Sequence, residues 1–204
     1  MSLMFRSLIL GLAIGSTALL PACNRQTAQS GPVTVTGKAN IGGPFTLVNQ
    51  DGAVVTQDDI KGKPQLIYFG FSYCPDVCPL ALQQMGQALS EVDPDGEFFR
   101  PIFFSVDPER DTPVSLKLYV TANGFPKNLI GLTGTPEQVE AAKKVYKIYA
   151  QKAPDPDLTG GYTVDHVSLI YLMDSDGEFV DVFTHNSDVP DIIKRLKAFR
   201  KSGK

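Results

Sequence analysis

The 204-residue sequence has few of the side chains that bind transition metals or act as nucleophiles, with only three cysteines and two histidines. It also lacks a surplus of positive charge, because 19 basic and 22 acidic residues leave a net charge of −3. A mildly acidic chain has no electrostatic footprint for nucleic acid, and we expect no nucleic-acid partner. The 43% of apolar residues predicts a globular domain with a hydrophobic core.

The hydrophobic run near the N-terminus is too short for a typical membrane span. It covers residues 8–22 and follows Arg6, whereas a span needs roughly 18 apolar residues or more. This layout is typical of a secretory signal, and Leu20-Pro21-Ala22-Cys23 resembles the lipobox of bacterial lipoproteins. We predict a lipoprotein-type signal peptide over 1–22, acylation of Cys23, and a flexible tether over 23–40. The domain would then be anchored on the periplasmic side of the bacterial cell membrane. An uncleaved anchor and a released soluble protein are the alternatives.

The remaining residues, 41–204, have the size of one domain. Their patterns of apolar residues predict strands over 45–48, 54–56, 65–71, 98–106, 167–173 and 179–183, and helices over 79–92, 112–123, 135–150 and 189–201. A pair of cysteines lies at the junction between the strand 65–71 and the following helix. This order predicts an α/β, thioredoxin-like fold with an N-terminal β-hairpin and an extra helical insertion within 129–151.

Local signals refine this outline. Pro113 suits the first position of a helix, and Thr135 with Gln138 fits a capping box. The predicted inner face of the first helix consists of Leu80, Leu82, Met85, Ala88 and Leu89. Residues 152–165 are rich in proline and glycine, and we predict an irregular segment that is mobile without metal and becomes ordered when metal binds.

The strongest chemical signal is the pair Cys74 and Cys78, in Phe71-Ser72-Tyr73-Cys74-Pro75-Asp76-Val77-Cys78-Pro79. The predicted helix begins at Pro79, and unpaired N–H groups and the positive dipole at a helix N-terminus stabilise a thiolate. A disulfide closing so short a loop would constrain the unfolded chain only modestly. The pair is therefore predicted to act chemically, as a redox dithiol or as two soft metal ligands.

His166 is the candidate for a third ligand. It lies where the predicted irregular segment meets the strand 167–173, and in a thioredoxin-like fold the turn entering this strand lies beside the dithiol. Two thiolates and one imidazole suit copper, as Cu(I) or Cu(II), and also zinc. The affinity order favours copper over zinc at equal availability. The alternative is a histidine that only fixes the loop through hydrogen bonds.

Two acidic features have an ambiguous meaning. Asp76, between the cysteines, either tunes the thiolates or docks a partner, or it is a solvated loop carboxylate. The segment Asp107-Pro108-Glu109-Arg110-Asp111-Thr112 holds three acids and one arginine. It is interpreted either as a helix-capping turn with Arg110 paired to a carboxylate, or as a fixed wall near the metal site.

Taken together, the motifs resemble the Sco/SenC family of copper proteins, which help to assemble the dinuclear copper centre of cytochrome c oxidase. The resemblance runs from about Gly42 to the last helix. It rests on the cysteine segment with the preceding Phe69-Gly70, and on Gly42-Gly43-Pro44-Phe45, Ser105-Val106-Asp107-Pro108-Glu109-Arg110-Asp111-Thr112, Gly131-Leu132-Thr133-Gly134 and Asp165-His166. It implies that Cys74, Cys78 and His166 bind copper.

The resemblance implies a periplasmic copper chaperone whose partner is the apo form of the copper-binding subunit of cytochrome c oxidase. Other periplasmic copper chaperones and thioredoxin-like reductants are further expected partners. A thiol–disulfide oxidoreductase that keeps the oxidase cysteines reduced is the main alternative, and whether the chain is an enzyme stays open. A redox or copper sensor is a third possibility. A peroxidase is the weakest, because only Arg110 could polarise a substrate beside the thiolate.

Overall fold

The computed structural model describes residues 39–158, 160–184 and 186–203. The predicted signal peptide, Cys23 and nearly all of the predicted tether lie outside the described residues, so these assignments stay predictions. Within the described ranges, no helix has the length and apolar character needed to cross a membrane.

The described residues form a central sheet, a separate hairpin and four helices. The strands are β1 (Thr46–Asn49), β2 (Val54–Thr56), β3 (Gln65–Gly70), β4 (Arg100–Ser105), β5 (Ile130–Thr133), β6 (Ala150–Pro154), β7 (Tyr162–His166), β8 (Leu169–Met173) and β9 (Phe179–Thr184). The helices are α1 (Val77–Val92), α2 (Pro113–Tyr119), α3 (Pro136–Val145) and α4 (Val189–Lys201). The central sheet has the order β2-β1-β5-β4-β3-β8-β9, and β6 pairs only with β7.

Parallel pairing occupies the centre of the sheet. Strand β4 pairs in parallel with β3 and β5, whereas β1 and β8 add to this core in antiparallel fashion. All six residues of β3 are buried, as expected for a strand whose two faces are both covered by other elements. The loop that contains Cys74 therefore begins at the end of a buried strand in the middle of the domain.

Helices cover both faces of the sheet, as two neighbouring residues of β4 demonstrate. The Phe103 ring lies 5.1 Å from the ring of Tyr119 in α2, and the Phe104 ring lies 5.3 Å from that of Tyr146, which ends α3. Because successive strand residues point to opposite faces, α2 and α3 lie on opposite sides. Helix α1 shares the α2 side, where Cys78 packs against Gly70, and α4 packs beside α1. The predicted thioredoxin-like fold with an N-terminal hairpin is confirmed.

Helix α1 begins at Val77, two residues before the predicted start, and this changes its inner face. Leu80 was predicted to be buried but is 55% exposed. It lies two positions, or about 200°, round the helix from the fully buried Cys78 and therefore points outward. The buried face consists of Cys78, Ala81, Leu82, Met85, Gly86, Ala88, Leu89 and Val92.

The region of β5 and α3 also differs from the prediction. The helix predicted over 135–150 ends at Val145, because Lys147 adopts a φ of 58° and Ile148 N donates to Lys143 O at 2.9 Å. Its predicted capping box, Thr135 with Gln138, is present. Strand β5 was not predicted, since it has four residues and includes a glycine. Gly131 is needed there because a Cβ would lie 2.9 Å from Val120 Cγ1 of the region that ends α2.

The irregular conformation predicted for 152–165 is wrong. Strands β6 and β7 form an antiparallel ladder from the pair Ala150–His166 to the pair Pro154–Tyr162. The chain-breaking residues are concentrated at its turn, where Gly160 and Gly161 have φ values of +89° and +73°. The remaining boundary differences are small, with helix 112–123 observed as α2, strand 98–106 as β4 and strand 167–173 as β8.

Candidate metal centre

The two cysteines lie in the loop between β3 and α1 and in the first turn of α1. Asp76 is the N-cap residue, and its side chain makes no capping hydrogen bond. Instead the backbone N–H of Cys78 donates to Cys74 Sγ at 3.4 Å. The free N–H groups of this helix terminus therefore face sulfur, which is the arrangement that stabilises a thiolate.

The cysteines differ in exposure. Both are free thiols, but Cys74 is half-buried and Cys78 is fully buried. Cys78 packs against the end of β3, where a Cβ added to Gly70 would lie 2.8 Å from its Sγ. Only glycine at this position lets the first turn of α1 approach the strand so closely. The outer sulfur is thus available to a partner or ligand, and the inner sulfur is held against the core.

Their protonation follows this asymmetry. A hydrogen bond from the Cys78 thiol lowers the pKa of Cys74 to about 5; burial opposes the shift, and backbone N–H groups of Cys78, Asp76 and Val77 add to it. The pKa of Cys78 is raised, first by its hydrogen bond to Cys74 and then by burial. At neutral pH the pair therefore carries one proton, located on the inner sulfur.

The structure brings His166 to the cysteines. Its Nε2 lies 3.6 Å from Cys78 Sγ, although 88 residues separate them in sequence. Its Nδ1 lies 3.1 Å from the carbonyl oxygen of Val164, and because a carbonyl only accepts, the proton in this contact belongs to Nδ1. The lone pair of Nε2 then faces sulfur, as in histidines that bind metals through Nε2. The ring packs edge-on against Phe71 at 5.6 Å.

The donor set fits a soft metal ion. Two ligands bound at about 2.3 Å for sulfur and about 2.0 Å for nitrogen, with a tetrahedral angle between them, stand about 3.5 Å apart. The distance between Cys78 Sγ and His166 Nε2 is close to this value. Within the described ranges, no group of three His, Cys, Asp or Glu side chains is spaced so that it could hold a metal ion. The predicted ligands are thus neighbours in an open site that half-exposed Cys74 would complete.

The acidic motif after β4 also lies beside the site, and its contacts are buried. Asp107 and Asp111 are fully buried. Ser72 N donates to Asp111 Oδ2 at 3.1 Å, two residues before Cys74. Sequence reasoning singled out this motif but missed Tyr162, whose hydroxyl donates to Asp107 Oδ1 at 2.8 Å. Nothing in the sequence marks Tyr162, because its partner lies 55 residues away. Asp76 is exposed, and its functional role stays a prediction.

A model of the protein family described as SCO1/SenC matches residues 33–201. This chain belongs to the SCO1/SenC family. Among curated members it is 43% identical over 174 residues to the mitochondrial Protein SCO1 homolog of Homo sapiens, covering 81% of this chain and 56% of the human protein. The chain spans about half the length of the mitochondrial relatives from Arabidopsis, yeast and human.

Solved members of the SCO1/SenC family share the fold. The structure of Bradyrhizobium japonicum ScoI with copper bound is 44% identical and has a TM-score of 0.70, covering 78% of this chain and 99% of that one. BsSco, described as a cytochrome c oxidase assembly protein of the Sco family with a disulfide switch, is 32% identical. Its TM-score is 0.62, and the match covers 79% of this chain and 95% of that one.

Proposed function

We propose that this protein is a copper chaperone for cytochrome c oxidase. It binds copper through Cys74, Cys78 and His166 and delivers it to the apo form of the copper-binding subunit. The observation that carries the proposal is the 3.6 Å distance between His166 Nε2 and Cys78 Sγ, because a dithiol reductase has no need of an imidazole ligand. The copper held by B. japonicum ScoI and the oxidase-assembly role of BsSco support it.

Each ligand has a separate task in this proposal. The buried Cys78 and the neighbouring His166 retain the ion, which is the cargo. Cys74 is half-buried, so a cysteine of the target could replace it in the first step of ligand exchange. Two thiolates with Cu(I) carry a net charge of −1 and with Cu(II) are neutral, and both charges suit a helix N-terminus.

The location is part of the proposal. Acylation of Cys23 would hold the domain at the periplasmic side of the membrane, where other periplasmic copper chaperones could load it and thioredoxin-like reductants could keep its thiols reduced. Lipid modification with two or more chains gives stable attachment. We expect Cys23→Ser to move the protein into the soluble periplasmic fraction. A variant that stays membrane-bound would favour an uncleaved anchor.

A second function, reduction of the target's disulfide, is favoured by the asymmetry of the dithiol. With a pKa of about 5, Cys74 is a thiolate that would attack one sulfur of the target disulfide and release the other. Cys78 would then displace the mixed disulfide and form a bond with Cys74, leaving two thiols on the target. Renewed activity requires an external thiol reductant.

Substitution of His166 separates the two functions. In cells grown at limiting copper, we expect His166→Ala to lose oxidase activity nearly as fully as Cys74→Ser or Cys78→Ser, with partial recovery when copper is added. The matched control is His185→Ala, which replaces the other histidine of the sequence and should behave as wild type. Normal copper content of the oxidase in the His166→Ala strain would favour the reductase instead.

A further inference from the structure

The hairpin that carries His166 is not paired with the central sheet. Strands β6 and β7 form a two-stranded sheet of their own, and His166 is the last residue of β7. Three residues after His166 the chain enters β8, which pairs with β3, so this pairing holds one end of the hairpin near the cysteines. No ladder joins the hairpin itself to the central sheet, and contacts between side chains and loops must fix its other end.

Arg110 makes the densest set of such contacts at the other end of β7. Its Nη1 donates to the carbonyl oxygen of Tyr162 at 2.9 Å, and its guanidinium lies 3.7 Å from the centre of the Tyr162 ring. Its Nε donates to Asp107, and the Tyr162 hydroxyl donates to the same carboxylate at 2.8 Å. Arg110, Asp107 and Tyr162 thus form a closed ring of contacts around the first residue of the strand that ends at His166.

The same loop, residues 107–111 (the bracket loop), also holds the cysteine loop. Asp111 accepts hydrogen bonds from the backbone N–H and the hydroxyl of Ser72, and from Ser105 Oγ at 2.6 Å. The Arg110 guanidinium lies 5.1 Å from the Tyr73 ring centre. Tyr73 immediately precedes Cys74, so one five-residue segment contacts both the dithiol loop and the hairpin.

These contacts are shielded from water, which makes them strong and directional. The Arg110 side chain is 10% exposed and that of Asp107 is not exposed at all. A buried pair that keeps its hydrogen bonds is rigid, whereas loss of one partner leaves an uncompensated charge. Arginine adds a planar fork that binds a carboxylate and stacks on a ring at once, and lysine cannot reproduce this geometry. On the exposed rim, Lys152 of β6 pairs with Glu109 at 2.5 Å.

We propose that Arg110, held by Asp107, is a positioning residue that places His166 beside the cysteines. This role presupposes the copper site proposed above. Tyr162 and His166 are four residues apart on one strand, about 13 Å. A change in the orientation of β7 at Tyr162 would therefore also move the imidazole at its other end. The acidic motif would then act as the fixed wall near the metal site, because it holds the strand that carries His166.

Replacement of Arg110 by lysine tests the role while it keeps the charge. We expect Arg110→Lys to weaken copper binding about 10- to 100-fold, as is usual for residues that orient a metal ligand. In the metal-free protein, amide hydrogen exchange of β6 and β7 should become faster. The matched control is Arg195→Lys, because Arg195 also pairs with a carboxylate, Asp181, and lies 4.3 Å over a ring, Phe183. Arg195→Lys should change neither the copper affinity nor the hydrogen exchange of β6 and β7.

A double-mutant cycle distinguishes positioning from general damage. If Arg110 acts through His166, its effect on copper affinity should disappear once His166 is removed. Adding Arg110→Lys to His166→Ala should then change the affinity by no more than about 2-fold, which is the usual scatter of such measurements. A further 10-fold loss in that background would overturn the role. If Arg110→Lys does not fold, Tyr162→Leu decides, since it removes both the ring beneath the guanidinium and the hydroxyl bound to Asp107, and wild-type affinity in this variant would equally overturn the role.

The outcomes also separate this role from the copper site itself. Wild-type affinity in His166→Ala would refute His166 as a copper ligand, and with it both the three-ligand site and the positioning role. Weak binding in His166→Ala together with wild-type affinity and hydrogen exchange in Arg110→Lys would refute only the positioning role.

Discussion

At the residue scale, the chemistry of the dithiol depends on an unequal environment for two identical side chains. Cys74 is half-buried and receives hydrogen bonds from a helix N-terminus, whereas Cys78 is fully buried against β3. The inner thiol donates to the outer sulfur, so each cysteine changes the proton affinity of the other. In the two proposed functions the outer sulfur acts as the nucleophile or as the first exchangeable ligand, and the inner thiol is its hydrogen-bond donor.

The first prediction concerns the pH dependence of Cys74. In the reduced, metal-free protein its alkylation by iodoacetamide should have a midpoint near pH 5, because the folded pKa is lowered to about 5 from an ordinary 9.0. The thiolate is favoured in the folded state, so the free energy of unfolding should increase as pH rises from 5 towards 9. This stabilisation is lost as pH falls through 5.

Cys78→Ala provides the control for this pH profile. Removing the thiol donor, the largest cause of the shift, should move the alkylation midpoint to higher pH. Cys78 itself acts with the opposite sign, since its raised pKa reduces stability above the ordinary thiol range. An unchanged midpoint in Cys78→Ala would mean that the helix terminus alone stabilises the thiolate.

The second prediction concerns the contact between Gly70 and Cys78. In Gly70→Ala the added Cβ would lie 2.8 Å from Cys78 Sγ and 2.8 Å from Tyr68 Cε1. Overpacking of this kind costs about 1–3 kcal/mol, and here it should also displace the inner sulfur. Urea unfolding and copper affinity should therefore both change.

Gly131→Ala is the matched control, because its Cβ would lie 2.9 Å from Val120 Cγ1 on the same side of the sheet but away from sulfur. It should lose similar stability and keep the copper affinity of wild type. Equal copper affinity in the two variants would show that the close approach at Gly70 serves packing alone.

At the element scale, the hairpin β6–β7 is the feature that completes the candidate site. Its ladder joins Ala150 with His166 at one end and Pro154 with Tyr162 at the other. Arg110 contacts the Tyr162 end, and Cys78 contacts the His166 end. The hairpin is thus a short arm between the bracket loop and the candidate metal ligands.

The third prediction is that this arm forms before metal binds. Ladder amides of β6 and β7 should exchange measurably more slowly than an unstructured peptide in the metal-free protein, and copper should slow them only slightly further. The fully buried strand β3 serves as the reference for strong protection. Rapid exchange across residues 150–166 that becomes slow on copper loading would instead support metal-induced ordering.

At the scale of the whole molecule, ligand binding and disulfide formation should stabilise the domain differently. The disulfide between Cys74 and Cys78 would close a loop of five residues, which contributes about 2 kcal/mol at most in the chain-entropy model. Copper that binds only the folded state adds stability with its free concentration, about 2.7 kcal/mol at one hundred times the Kd.

The fourth prediction follows from this difference. The melting temperature of the reduced protein should rise with each increase in buffered Cu(I), whereas that of the oxidised protein should not respond. A variant with Cys74→Ser and Cys78→Ser should show no copper dependence. Equal melting temperatures for reduced protein with and without copper would argue against the metal site.

Local sequence signals determined the type and order of most elements. The apolar run of β3, the capping box at Thr135 and the helix from Val189 to Lys201 were all predictable, because each depends on neighbouring residues in the chain. The dithiol at a strand–helix junction likewise indicated a thioredoxin-like fold. The motifs around Cys74, Cys78 and His166 were sufficient to suggest the family, which the comparison with known proteins confirmed.

Tertiary structure decided what depends on distant residues. Gly131 lowers strand propensity and hid β5, yet the approach of Val120 requires it. The prolines and glycines of 152–165 concealed a hairpin that lies against the bracket loop through Arg110. Leu80 is exposed because Cys78 determines which side of α1 faces the core. Partners such as Asp107 and Tyr162 are 55 residues apart, and only folding brings such groups together, because hydrogen bonding and packing act through space and leave no periodic pattern along the chain.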